Sequence, residues 1–191
     1  MTTVAPVPGY RIEGHAIVSV DDCIAAADGA TPPSLSNDAD WLRFQRALDA
    51  SAVILLGRVS HEYNPNTRRR NRLIVSSRAK RVERRADGWW WNPAAAPLAE
   101  ALAAAAPGGG TVAVPGGHLV FDLLRPAFSA FHLARATRIT LPGGVPLFSA
   151  VADRRTADAI LAADGLVPDA TEILDASAGV TLTIWRRSPT A

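Results

Sequence analysis

Apolar and polar positions along this chain fall into short β-type runs separated by helical stripes. His15–Val20 (H-A-I-V-S-V) is a β-branched run closed by the turn-like pair Asp21-Asp22, and it predicts the first strand. Asn37 or Asp38 then caps a predicted helix through Asp49, with Trp41, Phe44, Ala47 and Leu48 at helical spacing. Ala52–Leu56 (A-V-I-L-L) is uninterrupted and of strand length, as in a central strand covered on both faces. Gly57-Arg58 ends it, and a short helix is expected near Val59–Ser60. Leu73–Val75 and Trp89–Trp91 predict further strands, and Ala94–Ala105 an Ala-rich helix stopped by Pro107. Thr111–Val114 predicts a strand, 117–124 a helix and Phe131–Ala134 another strand. Val180–Trp185 predicts the last strand, with Glu172–Leu174 as its antiparallel partner.

This alternation predicts an α/β fold: three layers, a mostly parallel central sheet and an antiparallel C-terminal edge. Residues 13–187 read as one domain, 1–12 as a loose lead-in and 188–191 as a tail. No apolar run reaches the ~18 residues of a membrane helix, and no basic-then-apolar leader opens the chain. A single cysteine, Cys23, leaves neither an internal disulfide nor a thiolate zinc cluster. A cytoplasmic protein with no membrane partner is therefore expected. Of 191 residues, 48% are hydrophobic and 20% charged, which excludes wholesale disorder.

The net charge is only +2, so the chain has no overall nucleic-acid footprint, and no nucleic-acid partner is expected. The basic cluster Arg68-Arg69-Arg70 with Arg72 reads first as a solvated loop and second as an anion site. The four histidines, His15, His61, His118 and His132, have no paired metal-ligand spacing, so no metal is expected. The three consecutive Trp cannot all face one way on a strand, so at least one is expected at solvent or a partner. An edge strand beginning near Val180 would allow a homodimer.

Candidate chemistry sits at three strand ends: Gly57-Arg58-Val59-Ser60, Ser76-Ser77-Arg78 and Gly116-Gly117-His118-Leu119. Each offers backbone N–H groups, hydroxyls or a guanidinium, groups suited to a phosphate-bearing dinucleotide. Ligands of open parallel sheets bind at the carboxyl ends of strands.

Taken in order, these segments resemble the dihydrofolate-reductase-like family, which includes folate reductases and the riboflavin-pathway pyrimidine reductases. The resemblance spans about His15 to Arg187. It rests on A-I-V-S-V-D-D-C-I-A (16–25), L-S-N-D-A-D-W-L-R-F (35–44), V-I-L-L-G-R-V-S (53–60), L-I-V-S-S-R (73–78), V-A-V-P-G-G-H-L-V-F (112–121) and L-P-G-G-V-P-L-F (141–148). It implies an NADPH-dependent reductase that passes hydride to a C=N bond of a small pterin-like substrate, dihydrofolate or dihydromethanopterin. The alternatives are a ribosylaminopyrimidinone phosphate reductase or a catalytically silent nucleotide-binding protein. By the same resemblance, Gly57, Arg58 and Ser60 would bind cofactor phosphates, and Ser76, Ser77 and Arg78 the 2′-phosphate. Gly116 and Gly117 would form a strained, often cis, peptide, with His118, Leu119 and Val120 opening the next helix. Ala16, Ile17 and Ile24 would line the nicotinamide site. Asp38 would be the catalytic acid and hold the substrate ring, with Trp41 and Phe121 nearby and Arg70 on a substrate carboxylate or phosphate. Phe121 replaces a tyrosine, and Ala134 a threonine, common in folate reductases.

Overall fold

The computed structural model describes residues 4–188; residues 1–3 of the lead-in and 189–191 of the tail lie outside the described residues. The first strand, β1 (Tyr10–Val18), begins five residues earlier than expected. Ile12 is fully buried and Val4 packs into the main core, so the lead-in is part of the domain rather than a loose segment. The chain continues through β2 (Cys23–Ala25), α1 (Asp38–Ala50), β3 (Val53–Gly57), α2 (Arg58–Tyr63) and β4 (Arg72–Val75). A hairpin, β5 (Val82–Arg85) and β6 (Gly88–Trp91), leads to α3 (Leu98–Ala105), β7 (Gly110–Gly116), α4 (His118–Leu124) and β8 (Ala130–Ala136). The remaining elements are β9 (Val145–Pro146), α5 (Ala157–Ala163), β10 (Leu166–Pro168), β11 (Glu172–Asp175) and β12 (Val180–Arg187).

Ten strands form one sheet in the order β10-β12-β8-β1-β7-β3-β4-β6-β5, with β11 also on β12. The six strands from β8 to β6 are parallel, and β5, β10, β11 and β12 are antiparallel additions. The fold is thus three-layered α/β with a mostly parallel sheet, as the sequence pattern predicts. The uninterrupted run of β3 sits at the centre, with Val53 to Leu56 all buried.

Helices α3, α4 and α5 cover one face through Leu102, Phe121, Ile160 and their neighbours. An aromatic cluster of Phe121, Phe128, Phe131 and Phe148 fills that side, with ring centroids 5.2–6.4 Å apart. Helix α1 covers the other face, where Phe44 and Leu48 meet Ile54, Leu56, Ile74, Trp90 and Ala113. Asn37 caps α1, its side chain accepting from the N–H groups of Ala39 and Asp40.

Three expectations change. Helix α3 starts at Leu98 rather than Ala94, because Pro97 disfavours helical backbone at the residue before it. The Trp run is not a solvent face: Trp90 and Trp91 are buried on opposite sides of β6, and Trp89 is half-buried under the Arg84 guanidinium. Strand β12 is no edge, since β8 runs along one side and β10 and β11 along the other. Val180 therefore has no free ladder for a dimer. The edge on the far side is β5, whose residues are V-E-R-R, and charge of that kind protects an edge from pairing.

Candidate active site

Sheet topology locates the crevice. From β1 the chain crosses to α1 on one face; from β7 it crosses to α4 on the other; from β3 it returns to α2 on the first. Connections that diverge from neighbouring strands leave a cleft at the carboxyl ends, the common ligand position of such sheets. Here the cleft opens at the ends of β1, β7 and β3, with β4 alongside.

The structure brings the sequence-predicted strand ends together. A Cβ on Gly57 would lie 3.3 Å from the Val120 side chain, and one on Gly117 3.8 Å from the Ser60 hydroxyl. The loops after β3 and β7 are therefore in contact. Gly116 has φ +121°, and its Cβ would press to 3.2 Å on the Phe121 ring, so the position favours glycine. Its peptide to Gly117 is trans.

At the adjacent end of β4, Ser76 is buried and its hydroxyl accepts from the Arg78 N–H. Ser77 and Arg78 are exposed. Among the described residues the side chains of Ser60, Ser77 and Arg78 make no hydrogen bond, while Arg58 is held by Glu62 at 2.6 Å. Leu119 is 68% exposed and Val59 52%, an unusual state for two aliphatic side chains beside one cleft. His118 is half-buried and Val120 buried under them. Ala16, Ile17 and Ile24 are half-buried on β1 and β2.

Acidic candidates separate by burial. Asp38 is exposed at the first position of α1. Asp40 is half-buried, and burial pushes its carboxyl above the ordinary value, with Arg43 opposing the shift. Asp40, Phe44 and Leu48 recur every four residues, so Asp40 lies on the inward stripe of α1 and Asp38 does not. That spacing was a readable signal for Asp40. Trp41 is 60% exposed beside it.

Two further expected residues stand elsewhere. Phe121 is buried in the aromatic cluster, with no face presented to a ligand. Arg70 lies at the opposite end of α1, bonded to Asp49 at 2.6 Å and to Gln45 at 2.8 Å. Its guanidinium is already committed inside the protein.

Beneath Arg43 and Phe44 of α1 lies a group that sequence reading missed. Glu13 and His15 share one face of β1, and His132 pairs with His15 across β8. The imidazoles stack with centroids 4.4 Å apart and 12° between planes. Arg43 Nη2 donates to His132 Nδ1 at 2.9 Å, so Nε2 carries the proton and donates to Glu13 at 3.3 Å. That bond is the main reason the Glu13 carboxyl is held below its usual range. His15 is buried, with Nε2 unpartnered, and burial above all lowers its pKa to about 3.

Glu13, His15 and His132 offer ligand atoms within 4.8 Å of one another, a two-His, one-carboxylate set that suits zinc. The arrangement is nonetheless a hydrogen-bonded stack. Arg43 takes the Nδ1 lone pair of His132, and nearly parallel rings point their in-plane lone pairs side by side rather than at one centre.

The first loop is a rigid junction. Asp22 has φ +59° and is buried. Its carboxylate accepts from Arg135 on β8 at 2.6 Å and from the Ala157 N–H of α5 at 2.8 Å. Asp21 accepts from Ser19 and from the Leu141 N–H.

No family model matches the chain, and no curated protein matches it in sequence. Solved structures do match in shape. One is a dihydrofolate reductase from Enterococcus faecalis complexed with NADP(H) and RAB-propyl, with TM-score 0.62, 16% identity, and 93% of this chain and 96% of that one covered. A putative riboflavin biosynthesis protein from Shewanella sp. PV-4 matches with TM-score 0.61, 16% identity and 93% and 99% coverage. A deaminase/5-amino-6-(5-phosphoribosylamino)uracil reductase from Thermotoga maritima matches with TM-score 0.62 and 13% identity, over 93% of this chain and 56% of that one. The class is therefore an α/β chain of doubly covered, mostly parallel sheet. More particularly, this chain has the dihydrofolate-reductase-like fold.

Proposed function

We propose that the chain is an NADPH-dependent reductase that delivers hydride to a C=N bond of a pterin-like or pyrimidine-like ring. The observation that carries this reading is the contact of the Gly57–Ser60 and Gly116–Leu119 segments at the switch-point cleft, next to Ser77 and Arg78. Unused hydroxyls and a guanidinium at three adjacent strand ends fit the phosphates of a dinucleotide. Arg78 with Ser76 and Ser77 favours a 2′-phosphate and hence NADPH over NADH. Exposed Leu119 and Val59 give its flat rings an apolar wall. Reduced nicotinamide supplies the hydride when bound.

The protein has two further tasks. Half-buried Ala16, Ile17 and Ile24 would hold the ring region in fixed orientation and keep water out. Asp40 would hold the amidine-like edge of the substrate and place a proton at the ring nitrogen, for which a raised pKa is suited. Asp40 would take the role that the resemblance implies for Asp38. The Arg70–Asp49 pair argues for a substrate without a carboxylate tail reaching that end of α1, which favours a short pterin or a pyrimidine over folate.

The test is NADPH and NADH binding by Trp fluorescence, then turnover across pterin and pyrimidine substrates. NADPH should bind clearly more tightly than NADH. Asp40→Asn should lower kcat/KM by about 10²- to 10⁴-fold with NADPH affinity unchanged, and Asp38→Asn should stay close to wild type. Binding of neither nicotinamide overturns the reading. Tight NADPH binding without oxidation by any substrate would select the silent nucleotide-binding alternative instead.

A further inference from the structure

A second polar cavity of about 480 Å³ opens at the amino-terminal ends of β4 and β6, the opposite end of the strands from the cleft. Asn66, Arg69, Arg70, Arg72, Arg84 and Asp87 line it. Four guanidinium groups and one carboxylate meet there, and most of the compensation is spent elsewhere. Asp87 is occupied by His61 at 3.0 Å and Trp90 at 2.9 Å. Arg70 is paired with Asp49, which Arg68 also contacts at 2.9 Å. Among the described residues Arg69, Arg72 and Arg84 have no carboxylate partner.

Arg72 is the decisive member. It is 8% exposed, its Nη1 donates to His61 Nδ1 and the Asn64 carbonyl, and its Nε has no partner. A buried guanidinium N–H without an acceptor is costly unless a ligand or ordered water meets it. Burial, then the charge of Arg70, holds the Arg72 pKa below its ordinary value. The loop is also built in advance. Asn66 accepts from the Arg70 N–H at 3.0 Å and donates to its carbonyl at 2.8 Å, and Arg69 between them has φ +50°.

We infer that this cavity binds a small multivalent oxyanion, a phosphate ester or a polycarboxylate, at a site separate from the proposed cofactor cleft. Guanidinium forks match both groups in geometry, and the volume holds more than one inorganic phosphate.

The experiment is calorimetric titration of the whole chain with pyrophosphate and with citrate at fixed ionic strength. Wild type and an Arg69→Gln/Arg84→Gln variant are compared. Both positions are exposed, so the variant should fold with an unchanged circular-dichroism spectrum. One-to-one saturation by pyrophosphate alone would identify a phosphate ligand, and by citrate alone a polycarboxylate. The variant should bind roughly tenfold or more weakly, while its NADPH titration matches wild type. No saturation of wild type by either probe overturns the inference, and so does equal binding by the variant. NADPH binding is read separately, so failure here leaves the reductase proposal standing, and the converse.

Discussion

Gly14 shows how one position can carry a whole contact. A Cβ there would lie 2.3 Å from the Phe131 ring, since β1 and β8 are neighbours and the ring lies across the gap. The aromatic cluster has no slack, so Gly14→Ala should destabilise by about 2 kcal/mol or more, within the range for overpacked cores. Urea denaturation would check it. His15 acts through protonation. Its folded pKa of about 3 lies below the ordinary 6.5, so the fold favours the neutral ring. That contribution is complete above pH 6.5 and is lost as pH falls toward 3, at up to about 1.4 kcal/mol per pH unit. His15→Leu removes the ring and its unpartnered Nε2. The variant should lose less stability than wild type between pH 6.5 and 5, a window above the range in which Glu13 titrates. Equal slopes in chemical denaturation across that window would refute the assignment.

Elements are joined by polar ties at their ends rather than by core contacts alone. Asp22 connects the loop after β1 to Arg135 on β8 and to the first turn of α5, and Asp158 of α5 meets the same Arg135 at 2.6 Å. Asp22→Ala would leave Arg135 short of its buried partner and the Ala157 N–H without an acceptor. A loss of about 3 kcal/mol is expected, as for other broken buried pairs, and the thermal midpoint should fall accordingly. Hydrogen exchange should show α5 loosening first. At this scale the sequence is readable where an apolar run is self-sufficient. The bare A-V-I-L-L run gives β3, and Asn37 with its helical stripe gives α1. Strand β5 was not legible, because V-E-R-R becomes a strand only when β6 and the faces of Trp89 and Trp90 are present for Arg84 and Arg85. The late start of α3 was legible in Pro97, which the run of alanines masks.

For the whole molecule, a cofactor that binds only the folded chain must raise its stability. NADPH at 100 times its Kd should add about 2.7 kcal/mol, and NADH at the same concentration visibly less. Differential scanning calorimetry would read the difference, and equal shifts would remove the Ser76–Arg78 site from the proposal. The amino-terminal lead-in belongs to this scale too. Val4 is buried against the α3 side of the core, so Val4→Asp should destabilise by about 2 kcal/mol. An unchanged midpoint would make the segment dispensable.

Local pattern determined the layers of this protein, the parallel strands and the three strand ends where a dinucleotide would meet the sheet. Those features depend on period, apolar runs and glycine placement, which neighbours in sequence already carry. The four-residue spacing of Asp40, Phe44 and Leu48 already marks which acid turns inward, and tertiary structure decided how deeply Asp40 is buried, because that depends on how α1 lies over β1 and β8. It likewise took Arg70 for Asp49, Phe121 for the core and β12 away from the edge. It also gathered His15, His132, Glu13 and Arg43 from three elements, and Arg69, Arg72 and Arg84 from β4, β5 and the loop before β4. Burial and charge pairing are sums over residues distant in sequence, and only the folded chain brings those residues within reach of one another.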